Sequence, residues 1–478
     1  MAQLHDLSAL EAAAAIRRRE VSPSELTAHY LDRIHRLDDQ VGAFVTVSDA
    51  AAREQASQAD AQVLSGAELP PLHGVPTAIK DLNLTAGVVT KLGSRVYRDY
   101  VPEVDDHVVT LLRQAGAISL GKTATPEFGL PCYTETDIGP PARTPWDTSR
   151  LAGGSSGGAA AAVAAGFVPI AQGSDGGGSI RIPASVTGLY GIKPSRGRIS
   201  RGPLDADSTG LSVLGPLART VRDAAAFLDA TAVAQPGDPH WAPPLPAGER
   251  FLDWCDRAPV RLRIGRYLQP PISGAEIDLE CRTAWEFASV LLESLGHEVI
   301  DIAMPLPEAV IPAFETVWAV SAASAPVDPD RVAELRPLTR YLRDRGSRIG
   351  AIEYSNALGL LNFISRQAIV ATAQYDAVLT PTLALPPRPI GWFCGTAEDP
   401  VDPAEDFERQ KRFTPFTAVY NASGQPAASL PLHWSAEGLP IGVMLVGRPA
   451  GEAALLALSA QLEAAAPWAD RHPAMWKA

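Results

Sequence analysis

The stretches "GGSSGG" at 153–158 and "GSDGGGSIRIP" at 173–183 constrain this chain more than any other feature. Gly153, Gly154, Gly157 and Gly158 surround Ser155 and Ser156, and Gly176, Gly177 and Gly178 precede Ser179. Glycine reaches backbone conformations closed to other residues and costs chain entropy to order. Gly/Ser runs otherwise make flexible linkers. Here the first cluster continues directly into "AAAAVAAG", a helical run. Gly154, Ser155 and Ser156 therefore fall at a helix N-terminus, where free N–H groups and partial positive charge collect.

The surrounding segments alternate between strand and helix patterns. Strands are expected at "AFVTV", at about 75–80, and at "AISLGK" and "FVPIAQG". Later ones are expected at 261–267, 297–302, 376–382, 426–432 and 439–447. Ser22, Pro23 and Glu25 make a capping box with proline at the first helical position. Further helices are expected at 49–64, 106–115, 156–165, 276–295, 351–375 and 452–465. Such alternation argues an α/β layered fold. Residues 235–250, rich in proline and glycine, are the best internal break, and no repeat is visible.

Several classes are excluded by composition. A net charge of −13, with Arg17, Arg18 and Arg19 as the nearest thing to a basic cluster, gives no stripe for nucleic acid or an anionic membrane. Those arginines read as the cationic end of an early helix. Asp6 and Glu11 interrupt the N-terminus where a secretion signal needs a continuous apolar run. Residues 157–171 are too short, and too broken by Pro169, to span a membrane. Cys132, Cys255, Cys281 and Cys394 form no metal spacing or disulfide framework, which suits a reducing compartment, the cytoplasm.

Three chemistries compete for the glycine-rich segments. "GAISLGKT" fits the nucleotide-binding G-x-x-x-x-G-K-[ST] pattern. Its context opposes that reading: a helix runs into Gly116, Ala117 to Leu120 are strand-forming, and no helix opens after Thr123. A helix-ending glycine followed by a strand is the better account. Gly153 to Gly157 also fits G-x-S-x-G, the nucleophile elbow, which needs an acid and then a histidine downstream. His240, His297, His433 and His472 are the candidates, but "TPWDTSRLAG" before the cluster reads as loop where an elbow needs a strand. A third reading joins both clusters. Backbone N–H groups of Gly176, Gly177, Gly178 and Ser179 form an oxyanion hole. Ser179 is the nucleophile, a lysine with a destabilised ammonium is the base, and Ser155 relays protons between them. The elbow and the joined site both remain open on these grounds.

The block from "GGSSGGAAAAVAAG" to "GLYGIKPSRGR" resembles the signature of the amidase signature family, with Ser155 and Ser179 at its spacing. "GVPTAIKDLNLTAGVVTKLGS" resembles that family's lysine segment and places the catalytic lysine at Lys80. "GKTATPEFG" resembles a site-lining segment, and "GQPAASLPL" and "EGLPIGVMLVG" its last core strands. The resemblance runs over about 5–465. It implies one domain over 1–478, with a signature core at about 70–220 and a more variable, pocket-forming region at 235–420. It also implies an α/β/α fold around a large mixed sheet flanked by helices.

The implied chemistry is a Ser–Ser–Lys triad that cleaves a carboxylic C–N bond through an acyl-enzyme, without metal or cofactor. Ser179 attacks, Ser155 passes protons from a non-proline cis peptide, and Lys80 is the base. Ser156 supports the site, and Asp175 and Arg181 brace the nucleophile loop. The partner is a small-molecule amide, aliphatic, aryl or cyclic oligo-amide; a homodimer is left open. "SDGGGSIRIPAS", "PEFG" and "TPWDTSR" resemble most closely the branch of 6-aminohexanoate cyclic-dimer hydrolases. Two departures are Gly176, where many members carry a larger residue, and Thr187, where cysteine is frequent. The alternatives are a histidine esterase of α/β-hydrolase type and the glutaminase component of a tRNA-dependent amidotransferase. Those glutaminases usually read "SIRQPA" where this chain has Ile182. Pocket walls are expected from 125–145, 310–345 and 390–420; Lys91, Lys193, Arg196 and His73 read as solvated or structural.

Overall fold

A computed structural model of the chain describes residues 3–205 and 208–478. Among them, eleven strands join in one sheet. They are β1 (Phe44–Val47), β2 (Pro76–Lys80), β3 (Ile118–Thr123), β4 (Ile170–Asp175), β5 (Tyr190–Lys193), β6 (Val213–Ala218), β7 (Arg263–Arg266), β8 (Glu298–Asp301), β9 (Ala377–Pro381), β10 (Ala427–Trp434) and β11 (Pro440–Gly447). Their spatial order is β1-β3-β2-β4-β6-β5-β10-β11-β9-β7-β8. The sheet is mixed: β2 runs parallel to β3 and β4, and β7 to β8 and β9, while the other pairs are antiparallel.

Strand parity shows that both faces are covered. In β11, Ile441, Val443 and Leu445 enter one hydrophobic core, and Met444 and Val446 enter another. Likewise β9 sends Ala377 and Leu379 one way and Val378 the other. Side chains alternate along a strand, so the sheet is sandwiched, and a strand buried on both faces reads as an unbroken apolar run. "LPIGVMLVG" is such a run. Each fully buried Val, Leu or Ile contributes about 1.5–3 kcal/mol relative to exposure. The helices Val221–Thr231, Leu279–Ser294 and Glu452–Ala465 cover one face, and Val310–Ser324 and Ala351–Thr372 the other. This is the α/β/α layering expected.

The proline-rich break at 235–250 separates no second sheet, because β7, β8 and β9 beyond it extend the first through β11. All nine anticipated strands are present; β5 and β6 were not anticipated, nor were the helices Arg181–Thr187, Val221–Thr231, Phe251–Trp254, Val310–Ser324, Pro337–Ser347, Pro403–Phe413 and Val419–Ser423. Gly116, at φ +87°, follows the helix His107–Gln114, and β3 comes next, so "GAISLGKT" has no phosphate-cradling geometry. Lys122 instead points inward and donates to Asn83 O and Thr90 Oγ1. All four cysteines are free thiols. Among the described residues no helix is long and apolar enough to cross a membrane.

Candidate active site

Parallel strands bring the lysine to the serines. Lys80 ends β2 and Asp175 ends its neighbour β4, so both carboxyl ends open onto one crevice, where α/β sheets bind ligands. Lys80 is fully buried. Its Nζ lies 2.7 Å from Ser155 Oγ, 2.8 Å from Ser174 Oγ and 3.4 Å from the Ser174 carbonyl. Burial pushes its pKa well below that of free lysine; Asp175 opposes the shift and Arg201 adds to it. A neutral amine beside a serine hydroxyl is a proton acceptor.

Ser155 follows a cis Gly154–Ser155 peptide and precedes the helix Gly157–Ala164. The glycines here serve close packing, not flexibility. A Cβ on Gly154 would lie 2.7 Å from the backbone of Tyr133, and one on Gly158 would lie 2.3 Å from Ala124 N. Ser156 ties the two clusters together: its N–H donates to Ser179 O (3.1 Å), its Oγ donates to Ser174 O (3.0 Å) and accepts from Ser174 N (3.2 Å).

Asp175 organises the second loop. Its carboxylate accepts from Gly178 N at 2.8 Å, Ile180 N at 3.1 Å, and Arg181 Nε and Nη2 at 2.9 and 2.8 Å. Asn421 Nδ2 adds a bond at 2.9 Å, and Arg181 Nη2 donates to Asn421 Oδ1 at 2.7 Å. Burial alone would raise the Asp175 pKa, but the Arg181 guanidinium, with Lys193 and the Asn421 hydrogen bond, more than offsets it and holds the carboxylate well below its ordinary range. The Gly178 N–H expected at an oxyanion hole is thus already committed. Those of Gly176, Gly177 and Ser179 have no acceptor among the described residues. Nor is Ser155 Oγ hydrogen-bonded to Ser179 Oγ among them.

Two cavities flank this loop. One, of about 90 Å³, has Ser179 and Gly177 in its wall, together with residues of 130–132, 310–318 and 407–419. The other, of about 550 Å³, has Ser155, Ser174 and Gly176 in its wall, with residues of 318–326 beyond. The residues of 130–132, 310–326 and 407–419 lie within the expected wall segments, but much of the second cavity's wall does not: Asn83, Asp106, Arg201, Ser212 and Tyr354 come from elsewhere, as does Ile272 in the first. Among the described residues no histidine lines either cavity. No group of three His, Cys, Asp or Glu side chains is gathered among them to hold a metal ion. Ser174 and Asn421 were not anticipated; Ser174 shares the strand parity of Gln172, whose Oε1 accepts from Lys80 N, and that parity was the available signal. Lys193, read as solvated or structural, is fully buried, with Nζ on Pro194 O.

Comparison with known proteins places the chain in a family. The Amidase family model matches residues 25–456. A Synechocystis sp. protein assigned as an amidase is 36% identical over 463 residues, covering 96% of this chain and 88% of the relative. A component of the glutamyl-tRNA(Gln) amidotransferase of Aromatoleum aromaticum is 36% identical over 498 residues, covering 98% of this chain and 99% of the relative. The solved structure of a 6-aminohexanoate cyclic dimer hydrolase with its substrate superposes with a TM-score of 0.89 at 30% identity, covering 99% of both chains. Sequence and fold agree along nearly the whole length: the chain belongs to the amidase signature family, hydrolases acting on amide C–N bonds.

Proposed function

We propose that this amidohydrolase works through a Ser179–Ser155–Lys80 triad and an acyl-enzyme. The observation that carries the reading is the buried Lys80 Nζ at 2.7 Å from Ser155 Oγ. Ser179 Oγ attacks the amide carbonyl carbon while its proton passes through Ser155 to neutral Lys80. The oxyanion takes hydrogen bonds from the N–H groups of Gly176, Gly177 and Ser179. The C–N bond then breaks as Lys80 returns the proton through Ser155 to the leaving nitrogen. Water attacks the ester by the same relay, releasing the carboxylic acid and restoring Ser179 and neutral Lys80. Catalytic hydrogen bonds commonly tighten only around bound substrate, which is where the Ser155–Ser179 contact forms.

Substrates on this reading are aliphatic, aryl or cyclic oligo-amides. A glutaminase has a relative's name behind it, but the wall beside Ser179 is built from Ile182, Ile272, Val310, Phe314 and Val419. Glutamine carries an ammonium and a carboxylate, and buried charge needs partners. Lys411 and Glu315 in that wall already pair with each other at 2.6 Å. The test is a fluorophosphonate, which should add one label located on Ser179 by digestion. Labelling on Ser155 instead would favour the elbow reading. A panel of amides including glutamine then separates amidase from glutaminase.

A further inference from the structure

Among the described residues the two cavities share only Leu130 and Trp318 in their walls. Trp318 stacks on Phe314, with ring centroids 5.4 Å apart and planes at 20°. The two are four residues apart on the helix Val310–Ser324 and so share a face. This pair lies against the glycine loop. A Cβ on Gly176 would stand 3.4 Å from Trp318 Cη2, and one on Gly177 would stand 3.6 Å from Phe314 Cζ. A side chain larger than methyl at 176 would press on the indole, so the glycine that departs from the family pattern leaves room for this aromatic wall.

We infer that Trp318, backed by Phe314, is a specificity-determining partition between an acyl subsite beside Ser179 and an amine subsite beside Ser155. On this reading the acyl group must be compact and apolar, whereas the amine side admits small and large hydrogen-bonding groups alike. This rests on the roles proposed above for Ser179 and Ser155. The acyl group stays on Ser179 after the C–N bond breaks, so it occupies the cavity that Ser179 lines. The amine receives its proton from Ser155, so it leaves through the cavity that Ser155 lines. The first cavity is about 90 Å³ and walled mainly by apolar side chains. The second is about 550 Å³ and offers Asn83, Asp106, Arg201, Ser212 and Ser321.

The test measures kcat/KM on two amide series. One fixes aniline as the amine and enlarges the acyl group from acetyl to benzoyl to naphthoyl. The other fixes acetyl and enlarges the amine. Wild-type enzyme should lose about tenfold or more from benzoyl to naphthoyl, and change by less than about threefold along the amine series. Trp318→Ala should raise the naphthoyl-to-acetyl ratio about 10–100-fold without moving the amine ratio. Trp318→Phe should give a smaller shift in the same direction, and it carries the test if the alanine variant does not fold. Selection on amine size instead, or an unchanged acyl ratio in both variants, would overturn the partition. Fluorophosphonate labelling of each protein keeps the two ideas apart. No label on Ser179 faults the triad, whereas a labelled Ser179 with an unmoved ratio faults the partition alone.

Discussion

Lys80, Lys122 and Lys193 are all fully buried, and the surroundings of the first two give them different work. Lys122 Nζ stands 3.7 Å from Asp81, with Asn83 O and Thr90 Oγ1 completing its shell. Burial lowers its pKa to about 8 while Asp81 pulls upward. Lys80 Nζ meets two hydroxyls and one carbonyl and no carboxylate directly. Replacing Lys122 by methionine strands the buried Asp81 carboxylate, and removing one partner of such a pair costs about 3–5 kcal/mol. Lys80→Met keeps side-chain volume and strands no carboxylate, only the Ser155 and Ser174 hydroxyls, so its cost should stay at about 1–3 kcal/mol, below that of Lys122→Met. Urea unfolding of both variants decides this, and equal losses would show that Lys80 is held as a structural cation. Activity should sort them the other way. Lys80→Met should lose about 10⁴ or more in kcat, the scale of a triad member. On the proposed mechanism the base is the neutral amine, whose pKa burial lowers, so wild-type kcat/KM should rise with pH through one ionisation lying below that of free lysine. A profile that falls over that range would remove Lys80 as the base.

Between β4 and the helix Arg181–Thr187, the nucleophile loop is held by one carboxylate that gathers Gly178, Ile180, Arg181 and Asn421. Asp175→Asn leaves the Arg181 guanidinium buried without its counter-charge, at a cost of about 3–5 kcal/mol. The sign with pH follows from the lowered Asp175 pKa. Its contribution is complete above the unfolded value of about 3.9 and is lost as pH falls below it. The stability gap between wild type and Asp175→Asn should therefore be widest near neutrality and narrow below about pH 4. A gap that stays constant into acid would mean that packing, not charge, fixes the loop. Sequence made some of these elements legible and hid others. The apolar strands and several long helices declared themselves, but Val221–Thr231 and Pro403–Phe413 did not, although Thr220 and Asp402 cap them. The strand β6 did not, because Gly215 and Pro216 sit inside it, and both residues normally argue against a central strand. Pro216 is registered against Gln172 in the middle of the sheet. The four residues of β5 are too few to show a period. The helix Val310–Ser324 is apolar on most sides, so it lacks the one-sided stripe that marks a surface helix, and with it Trp318 escaped notice. Asn421, far along the chain, has no local signal for its bonds to Asp175 and Arg181.

Across the whole molecule, the histidines stay out of the crevice. His297 bridges Leu262 N and Gln461, tying the start of β7 to the helix Glu452–Ala465. His433, on β10, lies 3.0 Å from Glu280 of the helix Leu279–Ser294. His472 stacks on Trp476 at 3.9 Å near the C-terminus, and a Cβ on Gly210 would come within 3.0 Å of His240 Nε2. None of the four lines a cavity that contains Ser155 or Ser179. A hydrolase built on serine, acid and histidine needs the imidazole within hydrogen-bond reach of the nucleophile. This sheet instead delivers a lysine to Ser155, the hydroxyl proposed to relay protons to Ser179, from the strand parallel and adjacent to the one that leads into the Ser179 loop. Alanine at His240, His297, His433 or His472, one at a time, should therefore leave kcat/KM within about tenfold of wild type, while a lost triad member costs about 10⁴ or more. Small losses at His297 and His433 should follow stability, since each holds two elements together, and they should appear in melting temperature before they appear in kcat. A loss on the order of 10⁴ at any one histidine, in a variant that melts like wild type, would return the G-x-S-x-G elbow to consideration and displace Lys80 as the base.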